Sequence, residues 1–288
     1  MNFLASCEWR RRAFEEKERL SPFLNAHLER RRKGQKHPVW DFLFEYYSFK
    51  PALLTRFSPG VGVELEGGEE LLGRAEWKAT ERGVVLDVGQ FPAHRVRAAG
   101  DILALLEATQ TRTARHDCFG WHEWAMVYRS EETRHSQPLR LSCAEIAELL
   151  EAQTLKCSHF DAVRFWTPDA LPLNTLSPQA HDRDDWEQPG CVHANMDLYK
   201  WAAKFAPWIA SELIVDAFLL AKEARELDMR ASPYDLKSFG FEPIRLETGE
   251  GRREYSTLQR EVAKSAVPIR ERLIEAYREL VGCVAQIT

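Results

Sequence analysis

The chain has 288 residues, 44% of them hydrophobic and 29% charged, with a formal net charge of −5 and a pI near 6.0. That balance excludes a disordered chain and a strongly basic nucleic-acid coat, and the length sits near the upper limit for one hydrophobic core. No apolar run approaches the roughly 20 residues that span a bilayer, and MNFLASCEWRRR reverses the charge-then-apolar order of a secretory signal. The expectation is therefore a cytoplasmic protein whose six cysteines are reduced.

From Cys7 to Arg32 the pattern predicts helix, broken at Ser21-Pro22, where a Ser cap followed by Pro would start a second segment. WRRR (9–12) and ERRRKGQKH (29–37) make this stretch locally basic. Two readings stand side by side: a solvated face balanced by Glu15, Glu16, Glu18 and Glu29, or a contact to a phosphate backbone. Residues 1–36 are expected to pack as a helical segment on a single domain formed by 37–288. HPVWDFLFEYYSF (37–49) fits a short buried helix opened by Pro38, with His37 and Asp41 four residues apart.

SPGVG (58–62) is a turn, and residues 62–97 read as short antiparallel strands, VGVELEG and GVVLDVG being β-branched and bounded by glycine. GDILALLEATQTRTARH returns to helix on a stripe of Ile102, Leu103, Leu105 and Leu106. LKCSHFDAVRFWTP (155–168) reads as a strand, and the proline-rich, acidic stretch 167–190 as a long surface loop of the kind that often carries function. Apolar residues spaced i, i+3, i+4 then predict helices over 194–209 and 210–232, and a last one from about Glu254 to Val284, kinked at Pro268. The fold class is α+β, predominantly helical with a small antiparallel strand region.

Three clusters carry candidate chemistry. Cys157-x-His159 and Cys191-x-His193 offer two thiols and two imidazoles, a donor set suited to zinc or iron, with His116, Cys118 and His122 close in sequence to one another. On a strand Cys157 and His159 would share a face; buried cysteines acting as small hydrophobes are the alternative. His122-Glu123, His159 with Asp161 and His193 with Asp197 form a second set, imidazoles beside carboxylates that suit proton transfer, or that simply brace a helix start. ELDMRASPYDL (226–236) is the third: Arg230 is either a clamp for an anionic group or an internal partner of Asp228, with Tyr234 beside it. A phosphate-binding G-x-x-x-x-G-K-[ST], a G-x-G-x-x-G turn, H-E-x-x-H, G-x-S-x-G and the deaminase P-C-x-x-C are all missing from the sequence.

Six segments, HPVWDFLFEYYSFKPALL (37–54), CFGWHEWAMVYR (118–129), RHSQPLRL (134–141), CSHFDAVRFWTP (157–168), QPGCVHANMDLYKWA (188–202) and ELDMRASPYDL (226–236), resemble a bacterial family labelled 3-methyladenine DNA glycosylase. The resemblance implies hydrolysis of the N-glycosidic bond of an alkylated base in DNA or a nucleoside, and a role in DNA repair; it carries no assignment of individual residues. Under that reading Trp121, Tyr128 and Trp166 would stack on an extruded base, with Asp228, Arg230 and Tyr234 contacting substrate. Asp161 or Asp197 would activate water or stabilise positive charge at the sugar, assisted by His122, Glu123, His159 and His193. The competing expectation is a metal-dependent enzyme acting on a small molecule through Cys157, His159, Cys191 and His193. A noncatalytic nucleic-acid-binding module using the basic N-terminus is a third.

Overall fold

The structure, a computed structural model, describes residues 2–286. In chain order it runs β1 (Asn2–Leu4), α1 (Ser6–Arg32), α2 (Phe42–Glu45), β2 (Val63–Glu66), β3 (Trp77–Ala79), β4 (Gly83–Leu86), α3 (Val96–Thr111), α4 (Trp121–Ala125), α5 (Cys143–Glu151), α6 (Phe160–Val163), α7 (Arg183–Trp186), α8 (Val192–Lys204), α9 (Ser211–Ala231) and α10 (Gly249–Ala285). It is α+β and predominantly helical, as its periodicities require.

The helical centre is α8 packed on α9, with α10 lying against both and against α3. Leu213, Ile214, Ala217, Phe218, Ala221, Ala224 and Leu227 give α9 its buried stripe. Each large one contributes on the order of 2 kcal/mol by leaving water. The same core takes Trp9, Leu20 and Leu24 from α1 and Leu65, Val84 and Leu86 from the sheet.

The sheet has the order β1-β2-β4-β3. β2 and β4 pair antiparallel, as do β3 and β4, but β1 adds a parallel edge with Asn2 opposite Val63 and Leu4 opposite Leu65. The sheet is thus mixed rather than antiparallel throughout. Three residues are too few to show a period, and only pairing with a strand some sixty positions away defines β1.

Three other expectations change. Ser21-Pro22 does not split the first helix: Pro22 lies inside α1, and Ser21 Oγ donates to the Lys17 carbonyl at 2.7 Å, a back-bond at the turn where the proline cannot donate. Residues 155–168 are not a strand. Leu155 makes a single bridge to Asn174 and the chain then turns at His159 into α6, so Cys157 and His159 do not share a strand face. The stretch 167–190 is less of a surface loop than its prolines suggest, since α7 lies within it and Glu187 and Gln188 are buried.

The basic face of α1 is matched by acids on the helix itself and on the chain packed beside it. Arg11 pairs with Glu8 and Glu15, Arg12 with Glu8, Arg10 with Glu70 and Lys33 with Glu29, while Arg30 reaches Asp41 at 2.6 Å. Asp41 also accepts from His27 Nδ1 at 2.9 Å and from the His37 amide at 2.7 Å. This arrangement favours the solvated-face reading over a phosphate contact.

Glu16 faces inward from the same helix, close to Glu212, Asp216 and Arg19. Burial, helped by the neighbouring carboxylates, pushes its carboxyl up to about 7. The folded state therefore holds this proton more tightly than the unfolded chain, and the associated stability is lost as pH rises through about 7. Glu16→Gln is expected to match the wild type at pH 4 and to exceed it by about 3 kcal/mol at pH 8 in urea unfolding. An equal gap at both pH values would refute the assignment.

Candidate functional site

Local geometry delivers four sets of side chains to one place. Gly120, with φ +73°, makes the turn into α4; a Cβ there would stand 3.1 Å from the Tyr255 ring, so glycine is required. α4 then turns His122 and Glu123 inward. On α8, His193, Asp197 and Lys200 recur at i, i+4 and i+7 and share one face. On α9, Arg225 and Asp228 are one turn apart on the buried side. His159 caps α6, whose first turn carries Asp161.

These residues form two linked clusters. In the first, His122 Nε2 lies 2.7 Å from Asp228 Oδ1, and the His122 and His193 rings are perpendicular with centroids 4.3 Å apart. One ligand atom from each of His122, His193 and Asp228 falls within 4.8 Å of the other two. Among the described residues, His122 Nε2 and Asp228 Oδ1 find no polar partner beyond this mutual contact. His122 is 4% exposed and Asp228 1%. Burial and the neighbouring His122 hold the His193 imidazole down at about 3, so its lone pair is free. Burial opposes charge on His122 too, but the Asp228 carboxylate outweighs it and raises the pKa.

Arg225 completes this cluster. Its Nη1 donates to Glu123 Oε1 at 3.0 Å and Asp228 Oδ2 at 3.1 Å, and its guanidinium lies 4.2 Å from the Phe42 ring centre.

The second cluster is built on α6 to α8. Lys200 Nζ bridges Asp161 Oδ2 at 3.1 Å and Asp197 Oδ2 at 3.2 Å, Arg183 reaches Asp161 at 2.7 Å, and Tyr47 donates to Asp197 Oδ1 at 2.9 Å. Although burial works against it, Lys200 with His159 and Tyr47 holds Asp197 ionised, well below the usual carboxylate range. His159 Nε2 sits 3.6 Å from both Glu187 and Asp197, beyond hydrogen-bond reach, and neither ring nitrogen has a hydrogen-bond partner among the described residues. Its ring centre is 5.4 Å from that of His193, which links the clusters.

An inner cavity of about 40 Å³ opens onto both, walled by Phe42, Tyr46, Tyr47, Phe165, Met126 and Arg134 with Glu123, His135, His159, Asp161, His193, Asp197 and Arg225. That volume holds a few waters or a small reacting group rather than a whole base.

Of the expected residues, Glu123, His159, Asp161, His193 and Asp197 line this cavity, and His122 and Asp228 stand directly behind His193. Others lie elsewhere. Trp121 packs edge-on to Trp124 in the core, Tyr128 donates to Glu151 at 2.7 Å, and Trp166 is buried; none lines the cavity. Arg230 donates to the Glu242 carbonyl and to Glu254, away from Asp228, because side chains two apart on a helix diverge. Tyr234 is buried against His135.

Cys157 and Cys191 line a separate small cavity with Cys118, reached from the other side of His122 and His193, and belong to no cation-sized ligand group among the described residues. Burial pushes the Cys157 thiol up to about 12, so it is a neutral apolar neighbour.

Sequence reasoning missed the rings of Phe42, Tyr46, Tyr47 and Phe165, along with Arg134, Arg225, Glu187 and Lys200. Arg225 had a readable signal, a charged pair at i, i+3 inside an apolar helix stripe. Glu187 had none, since it lies in irregular chain. No protein-family model, curated protein or solved structure matches this chain.

Proposed function

We propose that this protein is a metal-dependent hydrolase of a small molecule, with a divalent cation held by His122, His193 and Asp228. One observation carries the reading: two deeply buried atoms, His122 Nε2 and Asp228 Oδ1, stand 2.7 Å apart with no polar partner outside the cluster among the described residues, and the His193 ring closes a third side. A lone pair left unsatisfied in the interior is costly, and a shared cation would satisfy both. Three protein ligands would leave positions open to water and substrate, and a zinc held there would supply Lewis-acid activation of water near neutral pH. His193 lines the inner cavity and, together with His122, the small cavity that holds the cysteines; the carboxylates and rings around the inner one favour placing those open positions there. Zinc is the first candidate; ferrous iron is the second, because two histidines and one carboxylate also suit it.

No helix of the described residues is long and apolar enough to cross a membrane. The six cysteines are all free, which supports a reducing compartment and a cytoplasmic location.

A second reading concerns the bond cleaved. The rings of Phe42, Tyr46, Tyr47 and Phe165 beside Asp161 and Asp197 favour an N-glycosidic bond in a modified base or nucleoside, in keeping with the family resemblance. Elemental analysis tests the first reading: about one zinc or iron per chain is expected, and less than about a tenth after growth with both metals supplied would count against it. For the second, base release from alkylated DNA and from free nucleosides is expected to disappear in Asp197→Asn. No release by the wild type would remove that reading and leave the first intact.

A further inference from the structure

Outside the inner cavity lies an open cleft of about 660 Å³. The two share Phe42, Tyr46, Arg134 and His135, so a molecule approaching His193 from this cleft passes those side chains.

Arg134 is the distinctive one. Its guanidinium lies 3.9 Å from the Phe165 ring centre, its Nη1 contact is the Met126 sulfur at 3.5 Å, and it enters no ion pair among the described residues. Arg225, the other arginine on the inner cavity, is already committed to Glu123 and Asp228. Lys36 adds a second cation to the outer cleft. Against them stand Asp41, already held by Arg30 and His27, and Glu45.

Across the mouth, the Phe42 and Tyr46 rings stack face to face at 4.7 Å with an interplanar angle of 10°, and the Arg225 guanidinium lies over Phe42, so the apolar wall they make is the outer face of a ring pair rather than a shared plane. Phe165 stands edge-on to Tyr46 at 6.4 Å. A stacked guanidinium keeps its donor edge free, which is how arginine holds carboxylate and phosphate groups in two-pronged fashion.

We infer that the substrate is a planar ring bearing an anionic group, carboxylate or phosphate, with the ring against the Phe42–Tyr46 wall and the anion on Arg134. The bond to be broken then points towards His193. This rests on the reading of the inner cavity as the reaction site. A neutral analogue gains the wall but not Arg134, and a bare anion gains Arg134 but not the wall.

Calorimetric titration of the full chain with phenyl phosphate, benzoate, inorganic phosphate and phenol tests this, using the wild type, Arg134→Gln and Phe42→Leu, each as purified and after chelator treatment. Phenyl phosphate or benzoate is expected to bind at least about ten-fold more tightly than phenol or inorganic phosphate, and the tighter of the two identifies the anion. Arg134→Gln is expected to remove that advantage while the melting temperature stays within about 2 °C, since an exposed side chain contributes little to folding. Phe42→Leu should weaken the ring-bearing probes and leave inorganic phosphate unchanged.

Equal affinity in wild type and Arg134→Gln, or phenol binding as well as the anions, overturns the inference. So does the absence of millimolar binding by every probe. Binding that vanishes on chelation and ignores Arg134 assigns the anion to the cation instead, and overturns it while the metal reading stands. Dependence on Arg134 that survives in chelated protein supports it even where no metal is found.

Discussion

Changing His122 to alanine, or Asp228 to asparagine, is expected to lower bound zinc or iron from about one equivalent per chain to less than about a tenth, with the chain still folded. The reason is the ligand count. Two protein ligands with a neutral amide as the third cannot match three, and here the missing atom is one whose only close polar contact lies within the cluster. Thermal melting supplies the second readout. Added metal should raise the wild-type midpoint through binding to the native state alone, and should leave both variants where they were. Cys157→Ser and Cys191→Ser are the opposing controls and are expected to keep their metal, because these thiols line the cavity on the far side of the histidines. Metal lost in Cys157→Ser but retained in Asp228→Asn would reinstate a cysteine-based centre.

The largest loss of stability is expected at Arg225. Arg225→Met, measured by guanidinium unfolding at pH 7, should cost about 3–5 kcal/mol. Methionine fills much of the aliphatic stem's volume, so the cost comes from what the guanidinium leaves behind: Glu123, 4% exposed, loses the cation at 3.0 Å, and Asp228, 1% exposed, keeps only His122 at 2.7 Å. Adding Glu123→Gln should recover about 1–2 kcal/mol, since the carboxylate left unpaired is then neutral. If the double variant is no more stable than Arg225→Met, the loss is one of packing against Phe42 and the charge account is wrong.

Both effects trace to the same economy of placement. Two charge clusters flank the inner cavity: Lys200 and Arg183 neutralise Asp161 and Asp197, whereas Arg225 alone faces both Glu123 and Asp228 and leaves one negative charge over. Among the described residues each cluster also leaves histidine nitrogens without other partners, both ring nitrogens of His159 in the first and His122 Nε2 in the second. Those nitrogens border small cavities, His159 the inner one and His122 the one that holds the cysteines.

The sequence by itself determined the helical framework. Apolar residues at every third and fourth position dictate α8, α9 and α10 whatever surrounds them, because a helix closes its hydrogen bonds within four residues. That His193 and Asp197 share a face was legible for the same reason, four residues on a helix, although Asp197 takes Lys200 and Tyr47 as its partners. Where the rule needed a partner far away in the chain, it failed. Residues 155–168 carry enough β-branched and aromatic character for a strand, but a strand is completed only by a neighbour, and Leu155 finds a single residue, Asn174. Reading that segment as extended set Cys157 beside His159 and gave a donor set that no ligand group among the described residues reproduces.

Only the tertiary structure decided that the carboxylate beside His122 and His193 is Asp228, from a helix about a hundred residues downstream of His122, rather than a cysteine one residue away. It likewise brought Phe42 and Tyr46 from the N-terminal region to the mouth of a cavity floored by α8. Local spacing specifies which side chains share a face. Which faces meet is set by burying α8, α9 and α10 together, a choice made by the whole apolar surface and written in no single motif.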